Sequence, residues 1–192
     1  MILATEEIFR SLSGSWDLLN RRAEGLARFD LSETAFWRSF RAPLVAAPIF
    51  ITWLAADRAS QGLLASDGSL FDDTDVLAHT GLDFIALWLT LPLLTIAVAD
   101  GLQLRARLTP FIIICNWSSV LAAAMLGVPA LLLALGWASP ALSSLFVIAA
   151  GLLILQMRWY AARVTLGVTA GVAALLASCD ALIGVGLLRL VI

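Results

Sequence analysis

The stretch "PFIIICNWSSVLAAAMLGVPALLLALGW", residues 110–137, carries no charged side chain and is apolar on nearly every side when wound as a helix. A helix of that kind lies either in a protein interior or in lipid. About 20 apolar residues are needed to cross roughly 30 Å of hydrocarbon, and this run exceeds that. It is expected to open on Pro110, a first-turn proline, and to tilt or kink at Gly127-Val128-Pro129. Four further apolar runs surround it. The run 42–56 is short and holds Pro43 and Pro48. It spans only if its helix begins near Phe36-Trp37, with Arg38 and Arg41 snorkelling to the surface. The run 84–99 carries Pro92, and a later one starts after Ser139-Pro140, an N-cap followed by a first-turn proline, and reaches Met157. The last extends from Val164 to Leu188. Apolar residues make up 61% of the chain, against about 45–50% in soluble domains. The expected fold is all-α: an integral membrane bundle of five transmembrane helices over 42–192, preceded by an amphipathic cytoplasmic segment over 1–41.

The arginines orient that bundle. Arg10, Arg21, Arg22, Arg28, Arg38 and Arg41 precede the first run, Arg105 and Arg107 follow the second, and Arg158 and Arg163 follow the fourth. Only Arg58 and Arg189 fall on the other side. Basic residues concentrate in cytoplasmic loops, so the N-terminus is expected inside and the C-terminus outside. The linker from Asp57 to Asp83, with Asp67, Asp72, Asp73 and Asp75, is then external. Trp37 and Trp159-Tyr160 fall at the inner interface and Trp53 and Trp137 at the outer one. The opening residues lack a basic region and a cleavage motif, so no signal peptide is expected.

Ile8, Leu12, Trp16, Leu19, Ala23 and Leu26 recur at spacings of three and four, one face of a helix. Such a helix beside a membrane lies in the interface or docks a cytoplasmic partner, with Trp16 and Leu19 as its contacts. A second helix is expected to open at Asp30 or Ser32 and to feed into the first span. Acidic and basic residues balance before Ala42, which argues against a strong sensor of anionic lipid.

Asp180 is the ionisable residue set deep in a span, on a face with Ala170, Ala173, Ala177 and Gly184. Carboxyl groups in lipid are costly and face the bundle, and small neighbours let another helix come close. Asp180 is expected to be neutral and to donate to span two, where Thr90 lies at similar depth and Pro92 frees a carbonyl. Helix-to-helix glue and a proton or ion relay are both open readings. Asn116, Ser119, Ala123 and Gly127 share a face of the central run, a close-packed contact or a place for a ligand headgroup. Gly167 and Gly171 make a weak small-xxx-small pair. Cys115 and Cys179 are expected to be buried thiols about 10 Å apart in depth, too far for a bridge.

No catalytic, nucleotide or metal motif is present. His79 lies among Asp72, Asp73, Asp75 and Asp83, but the run lacks the glycine and closing glutamate of a calcium loop. No cofactor, metal or nucleic-acid partner is expected. Arg158 and Arg163 read as anchors at the inner surface or as a grip on lipid phosphate.

The layout of a cytoplasmic N-terminal segment, five helices and a short outer tail resembles the Yip family of five-span membrane proteins. Phe36-Trp37-Arg38-Ser39-Phe40 and Asn116-Trp117-Ser118-Ser119 are also similar to stretches of integral membrane proteins from alphaproteobacteria. The resemblance implies a non-enzymatic protein that organises membranes or membrane complexes. The expected role is an accessory, scaffold or assembly subunit of a bacterial inner-membrane complex, with the bilayer and other subunits, or a second copy, as partners. The alternative is a small transporter or ion-conducting protein using Asp180 and Asn116.

Overall fold

The buried run Phe111–Val120 forms the axis around which the other helices gather. A computed structural model describes residues 5–60 and 74–191, and these form helices and turns without a strand. Helix α1 covers Thr5–Leu19, a 3-10 turn covers Ala23–Arg28, and α2 covers Glu33–Ser39. The long helices follow: α3 Ala42–Ser60, α4 Thr74–Val98, α5 Arg105–Ala134, α6 Pro140–Leu166 and α7 Ala170–Val191. Helix α5 touches α1, α2, α3, α4 and α6, while α7 packs across α4 and α6. Helix α3 lies along α5 in the same direction: Ser39, just before α3, bonds Asn116, and Ile49 meets Gly127. A Cβ at Gly127 would stand 2.7 Å from the Ile49 side chain, so this glycine serves close packing.

Local chemistry sets the helix ends. The Ser32 hydroxyl accepts from the Ala35 N–H and the Ser139 hydroxyl from the Leu142 N–H, so both N-caps read from the sequence are in place. Helix α5 closes with Gly136 at φ 70° and α6 with Gly167 at φ 69°, the left-handed cap that glycine enters without a Cβ clash. Two non-glycine residues take the same left-handed conformation in the turns after α1 and α4. Arg21 (φ 58°) follows α1 and Gln103 (φ 55°) follows α4. In each case the next residue's N–H bonds five residues back, Arg22 to Asp17 and Leu104 to Ala99.

Several expected boundaries move. The helix through residues 110–137 opens at Arg105, so Pro110 lies inside its second turn. The added turn is held by Arg105 against Asp100 and by Arg107, which donates to the Leu166 carbonyl at 2.8 Å. Helix α6 runs past Met157 to Leu166, which puts Arg158 and Arg163 on the helix instead of in a loop. Helix α7 then opens at Ala170 instead of Val164, and Gly167 is a cap instead of half of a span motif. Arg107 lies directly over Gly167, leaving no room for a side chain there. Helices α2 and α3 are separate, divided at Phe40-Arg41, so the first apolar run gains no length from Phe36-Trp37.

Among the described residues, α5 and α6 are long and apolar enough to cross a membrane, and shorter apolar helices cover Trp88–Val98 and Ala170–Gly184. The linker aspartates Asp67, Asp72 and Asp73, and the side chains of Asp75, His79, Arg58 and Arg189, lie outside the described residues.

Candidate functional site

The N-terminal segment is tied together internally by charge and docks on the bundle through Leu18 and Leu19. Helix α1 turns Glu7, Ser11, Gly14, Ser15, Leu18 and Leu19 inward, whereas Phe9 and Trp16 are exposed. This face is rotated from the apolar one read in the sequence: Ser11 and Ser15 replace Trp16 on the packed side. Small residues allow the approach. A Cβ on Gly14 would stand 2.6 Å from the Phe29 ring, and one on Gly25 would stand 2.7 Å from the Gly14 carbonyl oxygen. The packed-side carboxylates find arginines. Arg38 lies 3.3 Å from Glu7 and 2.8 Å from Asp30, and Arg28 lies 2.5 Å from Asp17. The Ser32 N–H donates to Asp30 at 3.0 Å. That bond and the Ser32 hydroxyl, helped by Arg38 and Arg10, hold the Asp30 carboxyl below its ordinary value. Leu19 packs on Ala122 and Met157, and its carbonyl accepts from Gln156 of α6 at 2.9 Å. Arg38 is therefore a clamp in the fold instead of a snorkelling anchor.

Inside the bundle a polar layer joins five of the helices, α2, α4, α5, α6 and α7. Asn116 is fully buried and uses both ends of its amide. Its oxygen accepts from the Trp88 indole at 3.1 Å, and its nitrogen donates to the Ser39 hydroxyl at 2.9 Å. Ser39 in turn donates to the Phe36 carbonyl. One turn away, Arg158 of α6 points into the bundle. Its Nη1 donates to the Cys115 carbonyl and the Ser118 hydroxyl, both at 3.2 Å, and its Nη2 to the Ser119 hydroxyl at 2.5 Å. Its Nε stands 3.8 Å from Asp180 of α7, with no hydrogen bond. The side chains are only 11% and 17% exposed, so this is an ion pair largely shielded from solvent.

The sequence brought Asp180, Asn116 and Ser119 into consideration, and the structure sets them at one level, but their partners differ from those expected. The charge facing Asp180 is Arg158, which the sequence placed at the inner surface. Thr90 is buried on α4, the helix that packs on α7. Ala173 and Ala177 of the small-residue face are buried, whereas Ala170 is exposed. Asn116 bonds toward α2 and α4 while Ser119 bonds toward α6, so their shared face divides between neighbours. Cys115 and residue 180 lie at one level through Arg158; the expected depth difference came from starting the last helix six residues early. Both cysteines are free thiols, Cys115 buried and Cys179 exposed.

Sequence reasoning missed Trp88, Ser39 and Gln156. The indole and amide donors gave a weak signal, since each could as well have met lipid headgroups. Arg163 is exposed with its guanidinium 5.6 Å from the Trp159 ring centre, and Arg21 approaches the same ring at 5.9 Å.

At the junction of α2 and α3, Glu33, Thr34, Trp37, Arg38 and Arg41 line an open cleft of about 320 Å³. Trp37 is 67% exposed beside it. No group of three or more metal-binding side chains occurs among the described residues. No protein-family model, curated protein or solved structure matches the chain.

Proposed function

We propose that the protein is a multi-pass membrane protein in which α3 to α7 cross the bilayer, with the N-terminal segment in the cytoplasm, and that it acts without catalysis as an accessory or scaffold subunit of a membrane complex. One observation carries this reading: the buried Asn116 and Arg158 are committed to holding helix to helix. Asn116 ties α5 to α4 and to the end of α2, and Arg158 ties α6 to α5. Groups used in this way stiffen a bundle. Support for embedding comes from α6, where Leu145, Ile148 and Leu152 are each more than half exposed. Such a patch is unusual on a soluble monomer and ordinary against lipid.

Purification in mild detergent, with identification of co-eluting proteins, tests the reading. A defined set of partner subunits at fixed stoichiometry supports it; a pure homo-oligomer that changes proton flux in liposomes overturns it. The second outcome would fit a small ion or proton transporter, favoured by the open gap between Arg158 Nε and Asp180. Ionisable side chains within membrane-spanning helices mark ion pathways in many proteins.

A further inference from the structure

The geometry points to a site for the headgroup of an anionic phospholipid where Arg21 and Arg163 converge on Trp159. The site rests on the membrane-embedded reading. Trp159 is fixed in place, since its indole N–H donates to the Ala170 carbonyl at 3.1 Å. Two guanidinium groups come to this one ring, Arg21 at 5.9 Å and Arg163 at 5.6 Å from its centre. One follows α1 and the other belongs to the last turn of α6. Both side chains are exposed, and among the described residues neither has a carboxylate within ion-pair distance. Arg21 also donates to the Gln156 amide oxygen at 3.0 Å. That bond engages one of its five N–H groups with a neutral partner. The ring attracts each cation without cancelling its charge, so the pair remains net positive and self-repelling.

The nearby carboxylates do not relieve it. Asp17 is taken by Arg28 and Arg22, and Glu7 and Asp30 by Arg38. The backbone carries a second sign. Arg21 stands at φ 58°, a conformation that glycine enters without a Cβ clash. An arginine there gives up that ease and gains a long side chain that reaches Trp159 from the end of α1. A phosphodiester of net negative charge answers both arginines with charge-assisted hydrogen bonds. A zwitterionic headgroup would bring its own cation against them. The surface leading away fits acyl chains. Leu145, Ile148 and Leu152 are exposed and lie on the face of α6 that Trp159 and Arg163 continue. In the embedded reading that face runs from the cytoplasmic interface, where tryptophan and arginine meet headgroups, into the hydrocarbon.

The test is native mass spectrometry of the full-length protein released from micelles holding equal amounts of phosphatidylglycerol, phosphatidylethanolamine and phosphatidylcholine. The expected result is retention of phosphatidylglycerol severalfold above the other two. Arg21→Gly and Arg163→Gln should each cut that retention about fivefold, the effect of one arginine at an anionic surface. Glycine suits the left-handed backbone, so Arg21→Gly should keep or raise the melting temperature while losing lipid, which a merely structural arginine would not do. Arg163→Gln decides the matter if Arg21→Gly does not fold. Arg105→Gln removes an exposed charge that Asp100 already neutralises and should leave retention unchanged. Equal retention of the three lipids, or equal losses in all three variants, overturns the site in favour of diffuse surface charge. Displacement of the lipid by millimolar inorganic phosphate overturns it in favour of a free-phosphate site. Carbonate washing of membranes separates the two levels: a protein that stays in the pellet without lipid preference sinks only this site, and a protein that is washed off sinks the embedding as well.

Discussion

Arg158 bonds to α5 through two nitrogens and faces Asp180 of α7 with the third. Removing one member of a buried pair leaves the other charge uncompensated, which costs about 3–5 kcal/mol when burial is complete. Asp180→Asn should therefore lower thermal stability in detergent, toward the low end of that range given the residual exposure. Arg158→Gln should do the same, and the double variant should recover part of the loss, a coupling that a double-mutant cycle reads directly. Additive losses would mean that the two charges do not see each other. An Asn variant that keeps native stability yet abolishes a measured ion flux would move the balance to transport. A second residue-scale expectation concerns Gln103, exposed and held at φ 55°. A left-handed conformation costs a non-glycine residue roughly 1–2 kcal/mol, so Gln103→Gly should stabilise the α4–α5 turn by about 1 kcal/mol. An unchanged or lower melting temperature would show that this turn relaxes in another way.

At the scale of elements, α1 separates two residues that its spacing had grouped. Leu19 is buried against Ala122 and Met157, while Trp16 is 56% exposed. Leu19→Ala should destabilise the docked segment by about 2–5 kcal/mol, as core truncations do. Trp16→Ala should leave the fold's melting temperature unchanged and alter only membrane or partner contact. Similar stability losses in both variants would mean that α1 packs through the other face. The start of α2 also depends on pH through Asp30. Its carboxyl sits below the ordinary value of 3.8, first because of the Ser32 N–H and then with help from Arg38. A carboxyl whose folded-state value is depressed contributes stability that is complete above its unfolded value and is lost as pH falls through the folded one. Amide exchange of the α2 N-terminus should thus accelerate below about pH 4, and Asp30→Asn should show the fast exchange already at neutral pH. An Asn variant protected like the native protein at pH 7 would remove Asp30 from the clamp.

At the scale of the whole molecule, threading is the decisive property. From the arginine bias, the N-terminal segment is expected in the cytoplasm and the linker from Asp57 to Asp83 outside. A cysteine at Ser66 should react with an impermeant thiol reagent on intact spheroplasts. A cysteine at Ser13, exposed on α1, should react only after lysis. Cys179 is itself an exposed thiol, so Cys179→Ser provides the background. The reverse labelling pattern would invert the bundle.

Much of this architecture was legible because its signals are local. Ser32 and Ser139 act on N–H groups three residues away, and apolarity around residues 110–137 follows from composition alone. The sequence by itself therefore determined a helical, strongly apolar chain with recognisable caps and no metal or catalytic motif. Tertiary structure decided the rest. Arg158 looked like an anchor because it is an arginine near the end of an apolar run. It turns inward because α6 continues to Leu166 and because hydroxyls about forty residues away receive it. Likewise, the packed face of α1 is the one whose small residues and paired carboxylates fit the 3-10 turn, Phe29 and α2 while Leu19 meets α5 and α6, and not its most apolar one. Hydrophobic periodicity reports what a face could gain by burial; which face is buried depends on shape and on partners that come from far along the chain.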